Sequence, residues 1–475
     1  MAHRKHPLSR EEILTSEQGA PTPSGDCFIA LGYPADYSVA ASSLGFQTIF
    51  REMNTLPTIR CERFFYQQGP PGPPTTVESA RPIANAAAIA FSVSCETDLL
   101  PVASMLRQSG LAPLAANRRE DDPPVIIGGP LTLLDPRLVS PLADVVVCGE
   151  AEDAVAPLAA ALSEGGPKPE QISRLNSTAA GIWIPASTPT PPPLHFVPKD
   201  RLPARAATWS PLADFKDLFL IEIARGCPRR CAFCLLAGTG RFRAVPKDRI
   251  LSFIPERAKG VGLVGAAVTD HPDLEEIVAK IVASEKRVSL SSMRADRLSP
   301  ALLRYLVKGG LRTLTVAADG SSSRIREEIK KGITEQHLFS AVEMAKAEKL
   351  KGMKLYSMVG LPGETDADVE EFARLVLELA KQIRLTVAIQ SFVPKPNTPL
   401  GDAPMTDQKV LKARLNRFSR LIKGRVAVQS TSPRWSWIDW KLAHGKEKSA
   451  LAAIQALDNG GDFAAWKQAL VTTLP

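Results

Sequence analysis

The sequence predicts an α/β protein: an N-terminal Rossmann-like doubly wound domain, then a partial (β/α)6 barrel, then a helical C-terminal extension. Three observations carry this. Short apolar runs alternate with helical segments of about ten residues in two separate series, as parallel βαβ units do. The run Pro185 to Pro193, with prolines at 185, 189, 191, 192 and 193, can be neither helix nor central strand and divides the two series. At 475 residues the chain is also too long for a single average core.

Each element follows in order. Residues 1–25 are polar, with Pro21 and Pro23, and are expected to form a flexible arm. In the domain 26–185 the pattern predicts strands at Cys27 to Leu31, Ala87 to Ser94, Val125 to Ile127 and Asp144 to Cys148, with helices over Leu44 to Met53 and Leu99 to Gln108. Two of its strands end in glycine turns, Gly128-Gly129-Pro130 and Gly149-Glu150, which let a ligand approach backbone at the carboxyl edge of a sheet. Residues 186–214 are expected to be a Pro-rich linker. In the domain 215–400 six strands are expected, at Phe219 to Ala224, Gly262 to Val268, Val288 to Ser292, Thr313 to Ala317, Lys354 to Val359 and Thr386 to Phe392. Residues 401–475 are mostly helical by periodicity and carry a tryptophan group at Trp435, Trp437 and Trp440.

Composition bounds the function. The formal net charge is +8 and the pI about 9.1. The basic residues, such as Lys330-Lys331, read as thinly spread over solvated helix faces, so a nucleic acid is not expected as a direct partner. No apolar run approaches the roughly 18 residues of a membrane helix. The basic start, Met1 to His6, has no apolar core behind it, so it is not a secretory signal. The expected location is cytoplasmic, and seven cysteines, four of them scattered without a pairing pattern, agree with a reducing compartment.

The chemistry lies in Cys227-Pro228-Arg229-Arg230-Cys231-Ala232-Phe233-Cys234, directly after an apolar strand. Three closely spaced thiolates can hold three irons of a [4Fe–4S] cluster and leave the fourth open to a small molecule. Structural zinc needs a closed set of four ligands, and no further Cys or nearby His follows until His271, so zinc is the weaker reading. Cys27, Cys61, Cys95 and Cys148 have no metal-ligand spacing and read as core residues.

The C-x3-C-x2-C spacing, with Phe233 before the last cysteine, resembles the signature of the radical S-adenosylmethionine (SAM) superfamily. Further segments agree with it. Gly360-Leu361-Pro362-Gly363-Glu364-Thr365 resembles the family's segment beside the SAM adenine, so Gly360 and Pro362 are candidate contacts. The resemblance also implies SAM contacts at Phe233 of the cysteine loop and at the barrel strand ends, for which the candidates are Ser291, Arg294, Asp319, Ser321 and Arg324. Where many members carry Gly-Gly-Glu for the cofactor amine, this chain has Thr269-Asp270-His271-Pro272, and Asp270 is the substitute. The run from Ser391 to Pro399 resembles a segment of cobalamin-type and methylthiotransferase members.

The N-terminal domain is similar in layout to the cobalamin-binding domains that precede many such barrels. It has no histidine between His6 and His195, so cobalamin would lack a histidine ligand from this domain; Ser43, Gly128, Gly129, Gly149 and Glu150 are the candidate contacts. The resemblance implies an enzyme that cleaves SAM reductively, with cobalamin-dependent methyl transfer to an unactivated carbon as the preferred reaction. It also implies an external electron donor such as flavodoxin or ferredoxin. Methylthiotransferase-like modification of RNA or protein, and a non-catalytic cobalamin or iron–sulfur sensor, are the alternatives. The identities of the substrate, small molecule or macromolecule, and of a catalytic residue are not legible.

Overall fold

The computed structural model describes residues 8–66, 72–175, 181–239 and 241–474. The chain forms two compact units, Met1–Asp217 with Lys441–Pro475, and Leu218–Trp440.

The first unit holds strands β1 (Cys27–Tyr33), β2 (Ile59–Phe65), β3 (Ala88–Ser92), β4 (Val125–Gly128), β5 (Val145–Val147) and β6 (Ile182–Trp183). They form one sheet in the order β2-β1-β3-β4-β5-β6, parallel except for β6, which runs antiparallel to β5. β1 is buried along almost its whole length, as an apolar run between two parallel neighbours should be. The helices Leu44–Met53 and Leu99–Gln108 stand where periodicity puts them, and Phe46, Phe50 and Met53 of the first enter the core.

β2 escaped the sequence reading because it carries Arg60, Glu62 and Arg63. Two of those charges are buried and held by hydrogen bonds. Glu62 accepts from Thr76 (2.6 Å) and Ser79 (2.5 Å), while Arg63 binds Glu17 and Glu78, each at 2.7 Å. Glu17 also corrects the flexible arm. Residues 8–25 are ordered, with the helix Arg10–Ser16 capped by Ser9 and Ile13 in the core; the first seven residues lie outside the described ones.

The Pro-rich linker is likewise a strap on its own unit. Gln47 Oε1 accepts the N–H groups of Ala207 and Thr208, both at 2.9 Å, and Trp209 exchanges two backbone bonds with Gln18. Proline removes donors but leaves carbonyls and side chains free to dock. Helix Glu447–Asp458 packs on Leu99–Gln108, where Arg107 pairs with Asp458 at 2.7 Å, so residues 441–475 complete this unit.

The second unit contains β7 (Phe219–Glu222), β8 (Ala224–Arg225), β9 (Arg243–Ala244), β10 (Gly260–Val264), β11 (Arg287–Leu290), β12 (Thr313–Asp319), β13 (Gly352–Val359), β14 (Leu385–Ser391) and β15 (Ala427–Ser430). β7, β10 and β11 form one parallel sheet and β12 to β15 another; a parallel bridge between Met293 and Val316 connects them. β8 and β9 pair as a small antiparallel ribbon. The mostly helical tail also holds one strand, β15, whose four residues extend the sheet beside β14. Among the described residues no helix is long and apolar enough to cross a membrane.

Candidate active site

The three-cysteine loop leaves the end of β7 and is closed at its base by the β8/β9 ribbon. Glu222, the last residue of β7, accepts two hydrogen bonds from the guanidinium of Arg225, both 2.7 Å. Ala232 donates its N–H to the Ile329 carbonyl (2.9 Å) and accepts from Leu400 N–H (3.1 Å). Phe233 packs on Ile325, Ile329, Leu361 and Phe392. Backbone bonds and packing from distant segments therefore fix this loop.

Cys231 is buried, and Cys227 and Cys234 are half-buried. Burial weakens the acidity of Cys227 and Cys231, and a charge on Cys234 weakens both further, as thiols sharing one locality must. Among the described residues no three His, Cys, Asp or Glu side chains converge as a single metal ion requires. A [4Fe–4S] cluster asks for something different, one thiolate on each of three irons, and this all-thiol set suits it.

Charged groups surround Cys231. Lys331 and Arg294 favour its thiolate and Asp319 opposes it. Lys331 Nζ lies 2.5 Å from Asp319 Oδ2, and Arg294 binds Asp296 (2.9 Å) and the Lys331 carbonyl (3.0 Å). Asp319 sits at a bulge with φ of 60°, a conformation that costs energy for a residue with a side chain and often marks a functional position. Lys331, read from sequence as part of a solvated face, is in fact buried. Its signal was hidden because burial of a lysine depends on a partner 12 residues away.

The other candidates divide. Ser291 is exposed just beyond β11. Asp270 is held by Arg229 of the cysteine loop and, at 3.4 Å, by Arg297. Ser321 is buried and donates to Glu364 (2.6 Å), whose other oxygen accepts Gly360 N–H (2.6 Å) and faces Arg414 (3.1 Å). Burial raises the Glu364 carboxyl above its usual range, against the pull of these partners. Gly360 has φ of 87°, and a Cβ there would lie 2.4 Å from Leu411. Pro362 is half-buried in the same turn. Arg324 binds Asp368 and Glu328, both at 2.6 Å, and the Gly363 carbonyl at 3.0 Å.

Asp368 was not foreseen. Burial would raise its carboxyl, but hydrogen bonds from Ser322, Thr365 and Arg324 outweigh that and hold it at about 2. It locks Thr365, the cap of helix Asp366–Ala380, to Ser322, the cap of helix Ser323–Glu328. His271 is buried between the Val245 carbonyl (2.8 Å) and Asp273 N–H (3.0 Å), a satisfied structural residue.

The cobalamin candidates of the first unit were tested in the same way. Gly149 has φ of 102°, yet its open side faces the chain's own backbone: a Cβ there would lie 2.3 Å from the His195 carbonyl oxygen. Glu150 accepts Val197 N–H at 2.8 Å. A Cβ on Gly129 would meet Val93 backbone at 2.6 Å. Gly128 is less crowded, with Val147 at 3.4 Å, and Ser43 stands beside the Tyr33 hydroxyl, which contacts Ser94 at 3.1 Å. At Gly129 and Gly149 the side a Cβ would occupy is thus taken by the chain's own backbone, and one Glu150 oxygen by Val197, so close backbone packing accounts for these residues without a corrin tail. Of the four cysteines read as core, Cys61 and Cys148 are buried, Cys27 is half-buried, and Cys95 is exposed.

Comparison with known proteins bears on both units. Residues 221–376 match the family model of the Radical SAM superfamily. This chain carries a radical SAM domain. Residues 45–185 match the model described as radical SAM proteins, N-terminal. Radical SAM domains use a [4Fe–4S] cluster and SAM. An uncharacterized protein of Methanocaldococcus jannaschii is 38% identical over 189 residues, 38% of this chain and 41% of that one. The ribosomal protein uS12 methylthiotransferase RimO of Kineococcus radiotolerans is 28% identical over 43% of this chain and 45% of its own. An uncharacterized methyltransferase of Pyrococcus horikoshii is 24% identical over 62% and 66%. The chain therefore spans 41% to 66% of these relatives' lengths. The structure of the cobalamin-dependent SAM radical enzyme OxsB with aqua-cobalamin and SAM bound has the same fold at 13% identity and a TM-score of 0.50, over 84% of this chain and 57% of that one.

Proposed function

We propose that the chain is a radical SAM enzyme in which Cys227, Cys231 and Cys234 hold a [4Fe–4S] cluster and SAM occupies the open iron. Held there, a cluster would supply the one-electron chemistry of reductive SAM cleavage, and the three thiols would fix its position. The observation that carries this reading is the fixed three-thiol loop with Arg294, Lys331 and Asp319 in the field of Cys231. The two cations suit the SAM carboxylate, and Asp319 suits its amine or ribose, as charge-assisted hydrogen bonds require. Gly360 and Pro362 shape the turn offered to the adenine. Ser321 and Arg324 act at one remove: they brace that turn through Glu364 and Gly363. Asp270 orients Arg229 of the cysteine loop.

Methyl transfer to an unactivated carbon is the finer reading, supported by the methyltransferase-named relative. Methylthio transfer is the second, supported by the RimO similarity. Neither is routed here through cobalamin, given the filled Gly149 corner. The test is anaerobic iron–sulfur reconstitution with dithionite and SAM, followed by chromatography for 5′-deoxyadenosine. Its formation is expected. Protein with a full four-iron complement that makes none overturns the proposal.

A further inference from the structure

The positive charge of this chain is not spread thinly. Residues 408–438 contain eight Lys and Arg and no Asp or Glu, so this stretch carries the whole +8 and the other 444 residues balance at fifty against fifty. Five of the eight lie on the helix Gln408–Ile422. Arg414 and Arg417 turn toward Glu364 and Glu370. Lys409, Lys412, Arg420, Lys423 and Arg425 are exposed, and none forms an ion pair among the described residues. Along the helix, positions 409, 412, 416, 420 and 423 recur at intervals of three and four, so these side chains share one solvent ridge about 21 Å long at 1.5 Å per residue. Ala413, Asn416 and Ser419 lie between the cations and form a shallow concavity with Arg420.

We infer that this ridge binds the phosphate backbone of a nucleic-acid strand. A row of unpaired cations with small polar residues between them matches a row of phosphates. An anionic membrane fits less well, because the apolar face needed for insertion is already used: Leu411, Phe418 and Ile422 are buried, and Phe418 stacks on Phe372 at 5.3 Å. The ridge is also tied to the candidate site within its own unit. Thr406 Oγ1 donates to the Gly360 carbonyl (2.9 Å), and Arg414 to Glu364. A strand on the ridge is thereby brought to the element that carries the Gly360 turn. As a substrate class this rests on the radical SAM proposal; as binding it does not.

The experiment measures binding alone, with full-length protein and a fluorescein-labelled single-stranded RNA of 20 nucleotides, by anisotropy over a sodium chloride series. About four contacts predict a slope of log K against log salt near −3. K412E/R420E/K423E is expected to weaken binding by about tenfold or more, while K308E/K346E/K351E, the same charge change on other exposed positions, changes it by about twofold or less. The ridge variant should keep the wild-type melting temperature and its substrate-free 5′-deoxyadenosine yield. A single-stranded DNA arm separates sources: equal binding assigns the shared phosphate backbone, and RNA preference names RNA. Absence of salt-dependent binding, equal loss in both variants, or binding to phosphatidylserine vesicles in place of either nucleic acid overturns the inference. Wild-type protein that binds RNA but never cleaves SAM leaves the ridge standing and removes the radical proposal.

Discussion

The two units end their parallel strands in the same way, with glycine turns at the carboxyl edge, and use that edge differently. After β5 in the first unit, the Gly149 turn is filled by the main chain at His195, and Glu150 accepts the Val197 N–H. After β12 and β13 in the second, the edge holds Asp319, Lys331, Ser321 and the Gly360 turn, with the thiols of the cysteine loop in the same field. A glycine turn shows that something approaches the backbone there. Whether that is a ligand or the protein's own chain depends on a segment 46 residues further along, and no local pattern reports it.

The comparison can be broken first at the cysteines. C227A, C231A and C234A should each lose the cluster and all 5′-deoxyadenosine formation, measured by iron analysis and chromatography, because each leaves one iron unprotected. An intact four-iron cluster in the triple variant ends this account of the second unit.

Next in size is the buried Glu17–Arg63–Glu78 triad. R63M strands two buried carboxylates and should cost the first unit about 3–5 kcal/mol, read by urea unfolding. A loss under about 1 kcal/mol would mean that solvent reaches the pair.

D368N should cost about 1.5–3 kcal/mol by weakening charged hydrogen bonds between two helix caps. Because the folded carboxyl is depressed to about 2, wild-type protein has this stabilisation in full above about pH 4 and loses it as pH falls toward 2. The gap between wild-type and D368N melting temperatures should close over that window. A gap constant down to pH 2 sinks the assignment.

The smallest effect sharpens the comparison. E150Q should cost about 1 kcal/mol or less, and corrinoid retained after gel filtration, read from the visible spectrum, should equal that of wild type. Less corrinoid in E150Q would return that corner to the cofactor.

The sequence by itself determined the strand–helix alternation, the cysteine loop after β7 and the Gly360 turn, because each rests on local properties: periodicity, ligand spacing and backbone freedom. Tertiary structure decided the rest. It buried Lys331 against Asp319, set Ser321 and Arg324 to bracing, made a strand of the charged run Ile59–Phe65, and turned the proline-rich segment into a strap. In each case the outcome depends on a partner distant in sequence, since a charge or polar group can be buried only where another chain segment satisfies it.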